Sequence, residues 1–332
     1  MKKILNEPAA YVDEMLEGLV AAHPEFYARP HPRVIARPGG AVKDKVGIVT
    51  GGGSGHLPVF TGYVGPGLLD ACAIGDVFSS ASAEQIADAM KAADGGAGVL
   101  RLYGNYGGDV MNFDMAGETL EVEEDFESTS VVLTDDVASG PPEEAAKRRG
   151  VAGMVYAFKM AGAAADRGGD LAAVTATAQK AADACRSLGI ALTPCTIPQS
   201  GKPTFEIDDA DMEMGMGIHG EPGIWRAKLK KADEIADEIW ERLQADRPIN
   251  KGDRVSVLVN SLGATPPEEL YILYRRFAKH LADCGASVVM PLVGRYAASM
   301  EMAGATLTVC QLDAELEELL KAPASCAFWQ VS

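Results

Sequence analysis

Of the five histidines in the 332 residues, two follow runs of glycine. His56 closes Gly51-Gly52-Gly53-Ser54-Gly55-His56-Leu57-Pro58, and His219 stands in Gly215-Met216-Gly217-Ile218-His219-Gly220. Glycine has no Cβ, so a ring beside it is left uncrowded. A neutral imidazole keeps a lone pair near neutral pH, which suits attack on a carbonyl carbon. Asp109, in Gly107-Gly108-Asp109, is a carboxylate at another glycine-rich strand end. There it suits proton abstraction from a hydroxyl; an N-cap for the following helix is its other reading. The amides of the glycine run suit hydrogen bonds to a small polyol. These parts describe a site for a small hydroxylated carbonyl compound. His56, His219 and Asp109 are also ordinary zinc ligand types, but no His-x-x-x-His pair supports a metal and none is assigned. His23, His31 and His280 lie in a Pro-rich entry and a polar helix, and read as structural.

The glycine run invites a comparison with phosphate loops, and it fails both patterns. A P-loop needs Gly-x-x-x-x-Gly-Lys-Ser/Thr, and no Lys stands between Lys45 and Lys91. The dinucleotide pattern counted from Gly51 places His56 at its third glycine, and counted from Gly53 places Pro58 there. The loop is not a nucleotide site on this reading.

The elements that must position these residues read as alternating strands and helices. Residues 8–22 form an amphipathic helix with Val12, Met15, Leu16, Leu19 and Val20 on one side. Strands are expected at Val34–Ala36, Val46–Thr50, Leu68–Ile74, Gly98–Tyr103 and Val131–Leu133. Helices are expected at Ala83–Ala93 and from Asp109 to about Leu120. Val151–Asp166 and Leu171–Leu188 follow as helices. Beyond them Ile190–Ile197, Glu213–Gly223, Val255–Val259, Ser287–Pro291 and Ala305–Gln311 read as strands. Lys228–Leu243, Pro266–Leu281 and Asp313–Lys321 read as helices. The chain is therefore expected to be α/β, with two layered domains, 1–188 and 189–332, and mixed, largely parallel sheets. In such sheets ligands sit outside the carboxyl ends of strands.

A hydrophobic content of 47% against 23% charged residues provides for a sizeable core. The net charge of −17 argues against nucleic acid or an anionic membrane as partner. Six scattered cysteines without a Cys-x-x-Cys pair suit buried thiols in a reducing compartment. Lys2 and Lys3 precede only Ile4-Leu5 before polar residues, too short for a signal-peptide core. A cytoplasmic location is expected.

From end to end the sequence resembles the dihydroxyacetone-binding subunits of dihydroxyacetone kinases. The likeness is carried by the glycine run to Pro58, Gly75-Asp76-Val77-Phe78, Asn105-Tyr106-Gly107-Gly108-Asp109 with Asn112-Phe113, and Arg148-Arg149-Gly150-Val151-Ala152. Gly215 to Gly223 and Asn260-Ser261-Leu262-Gly263-Ala264-Thr265 complete it. The resemblance implies that His219 holds a short-chain ketose as a covalent hemiaminal. It implies that His56 hydrogen-bonds substrate and assists proton transfer, that Asp109 deprotonates the accepting hydroxyl, and that Gly52, Gly53 and Ser54 bind substrate through the backbone. It also implies a homodimer, a partner subunit carrying ATP or ADP with Mg, and either direct transfer from ATP or a phosphotransferase-system relay. Where members acting on dihydroxyacetone commonly carry Lys, this chain has Gly104, followed by Asn105. Losing that side chain opens space, which admits a four-carbon ketose such as erythrulose beside dihydroxyacetone. Some paralogues of this fold act as transcriptional coactivators instead, and retention of His56, Asp109 and His219 favours the enzyme.

Overall fold

The computed structural model describes residues 2–332. The chain opens with α1 (Tyr11–Ala22), then β1 (Ala28–His31) and β2 (Val34–Ala36). β3 (Gly47–Gly53), β4 (Ala71–Gly75), β5 (Val99–Gly104) and β6 (Ser128–Leu133) join them in one sheet of order β1-β2-β4-β3-β5-β6. β4, β3, β5 and β6 run parallel. Every residue of β3 and β4 is buried, as strands covered on both faces must be. α2 (Ala83–Ala93) returns the chain from β4 to β5, and α3 (Gly107–Glu124) from β5 to β6. α2 starts on a capping box, in which the Ser82 hydroxyl accepts from the Gln85 amide and Gln85 returns the bond. Because β4 lies on one side of β3 and β5 on the other, a crevice opens beyond the carboxyl ends of β3 and β5.

α4 (Met154–Asp166) and α5 (Leu171–Ala184) lead into the second half. It contains β7 (Cys185–Thr193), β8 (Asp211–Met214), β9 (Trp225–Lys228), α6 (Ala232–Asp246), β10 (Arg254–Ser261) and α7 (Pro267–Cys284). β11 (Ser287–Val288), β12 (Leu292–Gly294), β13 (Ala303–Leu312), α8 (Ala314–Lys321), β14 (Ala324–Cys326) and β15 (Trp329–Val331) follow. The second sheet has the order β11-β10-β13-β7-β8-β9, with β12 also on β10. Both sheets are mixed, but the expected predominance of parallel pairing holds only in the first. In the second only β11 and β12 run parallel to β10, through the α7 crossover. The β10–β13, β13–β7, β7–β8 and β8–β9 pairs are antiparallel. The β7–β8 and β8–β9 connections contain no helix, and a parallel pair requires a crossover.

The layers run α2 and α3, first sheet, α4 and α5 with α8, second sheet, then α6 and α7. All of α4 is buried except Ala164 and Asp166, which is why its sequence is apolar all round. Its Tyr156 hydroxyl meets Ser256 Oγ of β10 at 2.8 Å. One apolar core therefore reaches from Ile48 and Leu100 of the first sheet to Leu258 and Cys310 of the second.

Several expected boundaries shift. The helix read over 171–188 ends at Ala184, and β7 begins at Cys185 without an intervening loop. Burial of Ser187 between Asp135 and Thr308 overrides the local helix preference there. A boundary at 188 thus falls inside β7. The strand read over 213–223 stops at Met214, and the glycines beyond it build a turn in which Gly217 N–H reaches Glu221 O at 3.1 Å. Among the described residues no helix is long and apolar enough to cross a membrane.

Candidate active site

β3 empties into a single 3₁₀ turn, Ser54–His56, and every residue of that turn is buried. The Ser54 and Gly55 amides donate to the Asp76 and Val77 carbonyls of the loop after β4. These two amides are therefore committed to holding loops together. The Ser54 hydroxyl, in contrast, is buried without a partner, so it is the side chain of Ser54 and not its amide that is left with an unused polar group. A Cβ on Gly53 would sit 2.5 Å from the Val77 carbonyl oxygen, which explains glycine at that position.

His56 Nδ1 lies 2.7 Å from the Ala298 carbonyl oxygen. A carbonyl only accepts, so Nδ1 carries the proton and Nε2 is left as a bare lone pair. Burial, with the nearby His219 second, pushes the His56 pKa down to about 3. His56 is therefore a neutral acceptor, and its Nε2 has no protein partner. Met300 N–H donates to Gly55 O at 2.8 Å, so residues 298–300 of the second half clamp this turn.

His219 arrives from the turn after β8, and its ring centroid lies 4.7 Å from that of His56. Phe78 and Tyr106 flank it at 5.6 and 4.6 Å between centroids. Its Nδ1 meets Glu221 Oε1 at 3.0 Å, and its backbone N–H donates to Glu221 Oε2 at 2.9 Å. Ser299 Oγ donates to the preceding Ile218 carbonyl at 2.5 Å.

Asp109 lies in the first turn of α3, but it is not the cap; Tyr106 occupies that position and no side-chain cap bond forms. Its Oδ1 is buried and unpaired. Burial raises its pKa to about 6, opposed by the Ser80 hydroxyl and His219. A carboxyl so poised takes protons near neutral pH.

Eight buried side-chain N or O atoms lack a partner among the described residues, and four of them belong here: Ser54 Oγ, His56 Nε2, Tyr106 OH and Asp109 Oδ1. Buried polar atoms are normally satisfied, so such a concentration marks a place for a polar ligand. A wide surface cleft of about 1150 Å³ lies elsewhere, beside α5, α8 and β13. Its Lys180 and Arg254 already pair with Asp313 and Glu317, which leaves it no free cation of that pair to recruit an anion.

The full length of the chain, in effect, matches known proteins of one kind. Residues 17–328 match the Dak1 domain. The chain belongs to this family. It is 44% identical over 335 residues to the PTS-dependent dihydroxyacetone kinase 1 dihydroxyacetone-binding subunit DhaK of Listeria innocua, covering 99% of this chain and 100% of that one. It is 42% identical to a D-erythrulose kinase of Mycolicibacterium smegmatis, covering 98% of this chain and 56% of that longer protein. The dihydroxyacetone kinase of C. freundii has the same fold, with a TM-score of 0.89 at 30% identity over 99% of this chain and 60% of that one. So does a dihydroxyacetone kinase operon co-activator, at 0.88 and 30% over 98% and 99%.

Within this Dak1 chain the structure brings His56, His219 and Ser54 together at the crevice, with Asp109 at the neighbouring strand end. It places Asn105 and Gly104 otherwise. The Asn105 side-chain amide donates to the Arg148 and Ala146 carbonyls at 2.8 and 3.2 Å, pinning the 141–150 loop. Gly104 does not open onto a void. A Cβ there would lie 3.2 Å from Met154 Sδ and 3.3 Å from the Tyr106 ring, which already take up the neighbouring room. Sequence reasoning missed Glu221, Ala298, Phe78 and Tyr106 as parts of the site. Glu221, Phe78 and Tyr106 stand inside the glycine-rich stretches, where a glutamate two residues after a histidine was the available signal. Ala298 acts through its backbone, which no residue type announces.

Proposed function

We propose that this chain is the substrate-holding subunit of a kinase for short-chain ketoses, with dihydroxyacetone as the first substrate. The observation that carries the reading is the asymmetry of two adjacent imidazoles beside a carboxyl poised at about 6. His219 Nε2 adds its lone pair to the ketone carbon, and the C=O π pair moves to oxygen. The oxygen takes up a proton from solvent and the ring keeps its Nδ1 proton against Glu221, so the captured ketose is a hemiaminal on an imidazolium paired with that carboxylate. His56 Nε2 accepts a hydrogen bond from a ketose hydroxyl, and Ser54 Oγ supplies another. Asp109, as carboxylate, removes the proton of the hydroxyl that receives phosphate.

Tethering fixes that hydroxyl, so the transfer becomes effectively intramolecular on the ketose side. It also selects ketones over glycerol, which has no carbonyl. A nucleotide-bearing partner subunit supplies the phosphoryl group, either from ATP with Mg or through a relay in which bound ADP is recharged by a phosphotransferase system. The name of the Listeria relative supports the relay. A tetrulose is the second reading, supported by the 42% identity to a D-erythrulose kinase. A coactivator role would leave Asp109 without a task, and its raised carboxyl speaks for catalysis.

The test combines two variants with the partner subunit present. His219→Ala should lose ketose capture and turnover together. Asp109→Asn should retain capture while turnover falls on the order of 10²–10⁴-fold. Unchanged ketose affinity in His219→Ala would defeat covalent capture, and unchanged turnover in Asp109→Asn would defeat the base assignment.

A further inference from the structure

The two site histidines share one feature and differ in another. Each has its Nδ1 engaged and its Nε2 turned away from that bond. His56 Nδ1 faces a neutral carbonyl, that of Ala298, while His219 Nδ1 faces the carboxylate of Glu221. A ring that attacks a carbonyl gains positive charge as the bond forms. Only the ring backed by an anion has that charge matched locally. Glu221 also accepts the backbone N–H of His219, so one carboxylate fixes both the ring and the segment that bears it.

We infer that Glu221 is the positioning residue that holds His219 with Nδ1 protonated and Nε2 bare, and that it thereby decides which histidine captures the ketose. This rests on the covalent-capture reading above. The surroundings are built for it. Gly217 has no side chain because a Cβ there would collide with Glu221 Oε2 and the Arg149 guanidinium. Arg149 is anchored by Asp136 at 2.7 Å and donates to the Gly215 carbonyl at 3.0 Å, which ties the turn to the end of the first sheet. Among the described residues, His219 is the group within ion-pair reach of Glu221. Burial favours the neutral acid of Glu221, but the hydrogen bond and charge of His219 outweigh it and hold the carboxyl at about 2. It stays an anion throughout the pH range in which the protein works.

A carboxylate offers two acceptors, and a carboxamide offers one acceptor and one donor. Glu221→Gln can therefore satisfy the ring or the backbone N–H, but not both. The test reads imidazole tautomers by ¹⁵N NMR without ketose, then KM and kcat with the partner subunit and dihydroxyacetone. Wild type should show His219 as the Nδ1–H tautomer. Glu221→Gln should show a mixed tautomer and a KM raised on the order of 10–100-fold, the size of a lost hydrogen bond to a charged group. Saturated kcat should change far less, because Asp109 is untouched. Glu221→Asp keeps both acceptors and should recover part of the loss. Gly217→Ala displaces Glu221 without removing it and should reproduce the loss, which guards against a Gln variant that fails to fold. An unchanged tautomer and KM in Glu221→Gln would overturn the inference, as would equal losses in the Gln and Asp variants. A wild-type Nδ1–H tautomer with no ketose adduct would instead sink covalent capture and leave the positioning by Glu221 standing.

Discussion

Asp109 is held in a state that costs stability. Its carboxyl is raised from 3.8 to about 6 by burial, so the folded chain binds its proton more tightly than the unfolded chain does. The folded state gains from that proton in full below the unfolded value of 3.8, and the gain is lost as pH rises through about 6. The difference between the folded and unfolded values corresponds to roughly 3 kcal/mol. Asp109→Asn, which mimics the protonated acid, is expected to be about 1–3 kcal/mol more stable than wild type at pH 8 and to match it at pH 4. Denaturant titration at both values checks this, and an Asn variant less stable at pH 8 would contradict it. The catalytic sign is opposite: kcat/KM should climb with pH through about 6, as the carboxylate base forms. His56, His219 and Asp109 were legible because reactive residue types stood beside glycine. Glu221 was visible as a letter but not as a partner, since its role depends on the turn that folds it back two residues onto His219.

At the scale of elements, the site is a junction of loops from both halves of the chain. The turn after β3 is stitched to the loop after β4 through the Ser54 and Gly55 amides, and to residues 298–300 through Met300. Gly53→Ala would drive a methyl into the Val77 carbonyl and to 2.9 Å from Phe78 Cα, both backbone atoms that yield little. Phe78 lies 4.9 Å from the His56 ring, so the shift is passed directly to the site. We expect a loss of about 1–3 kcal/mol in stability together with weaker ketose capture, read by denaturant midpoint and ketose titration. A variant with wild-type capture would show that the close loop contact is not needed. The strand-to-glycine transitions of β3, β4 and β5 were readable from an apolar run meeting glycine. The 295–300 segment was not, because its contribution is made by backbone groups of Ala298 and Met300 and carries no motif.

Across the whole molecule, α4 and α5 form the inner layer between the sheets, and neither sheet has a complete core without them. The two halves legible in the sequence are lobes on a shared core. A cut at residue 188 would split β7, whose Leu188 pairs with Leu307 of β13. Thermal or denaturant unfolding followed by near- and far-UV circular dichroism should give coincident transitions. Tyr156→Phe should lower stability by about 1 kcal/mol through the lost bond to Ser256. Two separated transitions, one per half, would contradict the shared core. The antiparallel second sheet was hidden from sequence because pairing direction depends on connections whose helix content local patterns left ambiguous. The alternation of strands and helices, by contrast, was enough for the α/β class.

These scales meet at one bond, between His219 Nε2 and the carbonyl carbon of a ketose. It can be observed directly with dihydroxyacetone labelled with ¹³C at the carbonyl and protein labelled with ¹⁵N in histidine. The account predicts that the ketone carbon signal of the bound sugar is replaced by a tetrahedral carbon coupled to one imidazole nitrogen, and that His219→Ala abolishes the coupling. A bound sugar whose carbonyl carbon remains a ketone, or one coupled to His56, would contradict it.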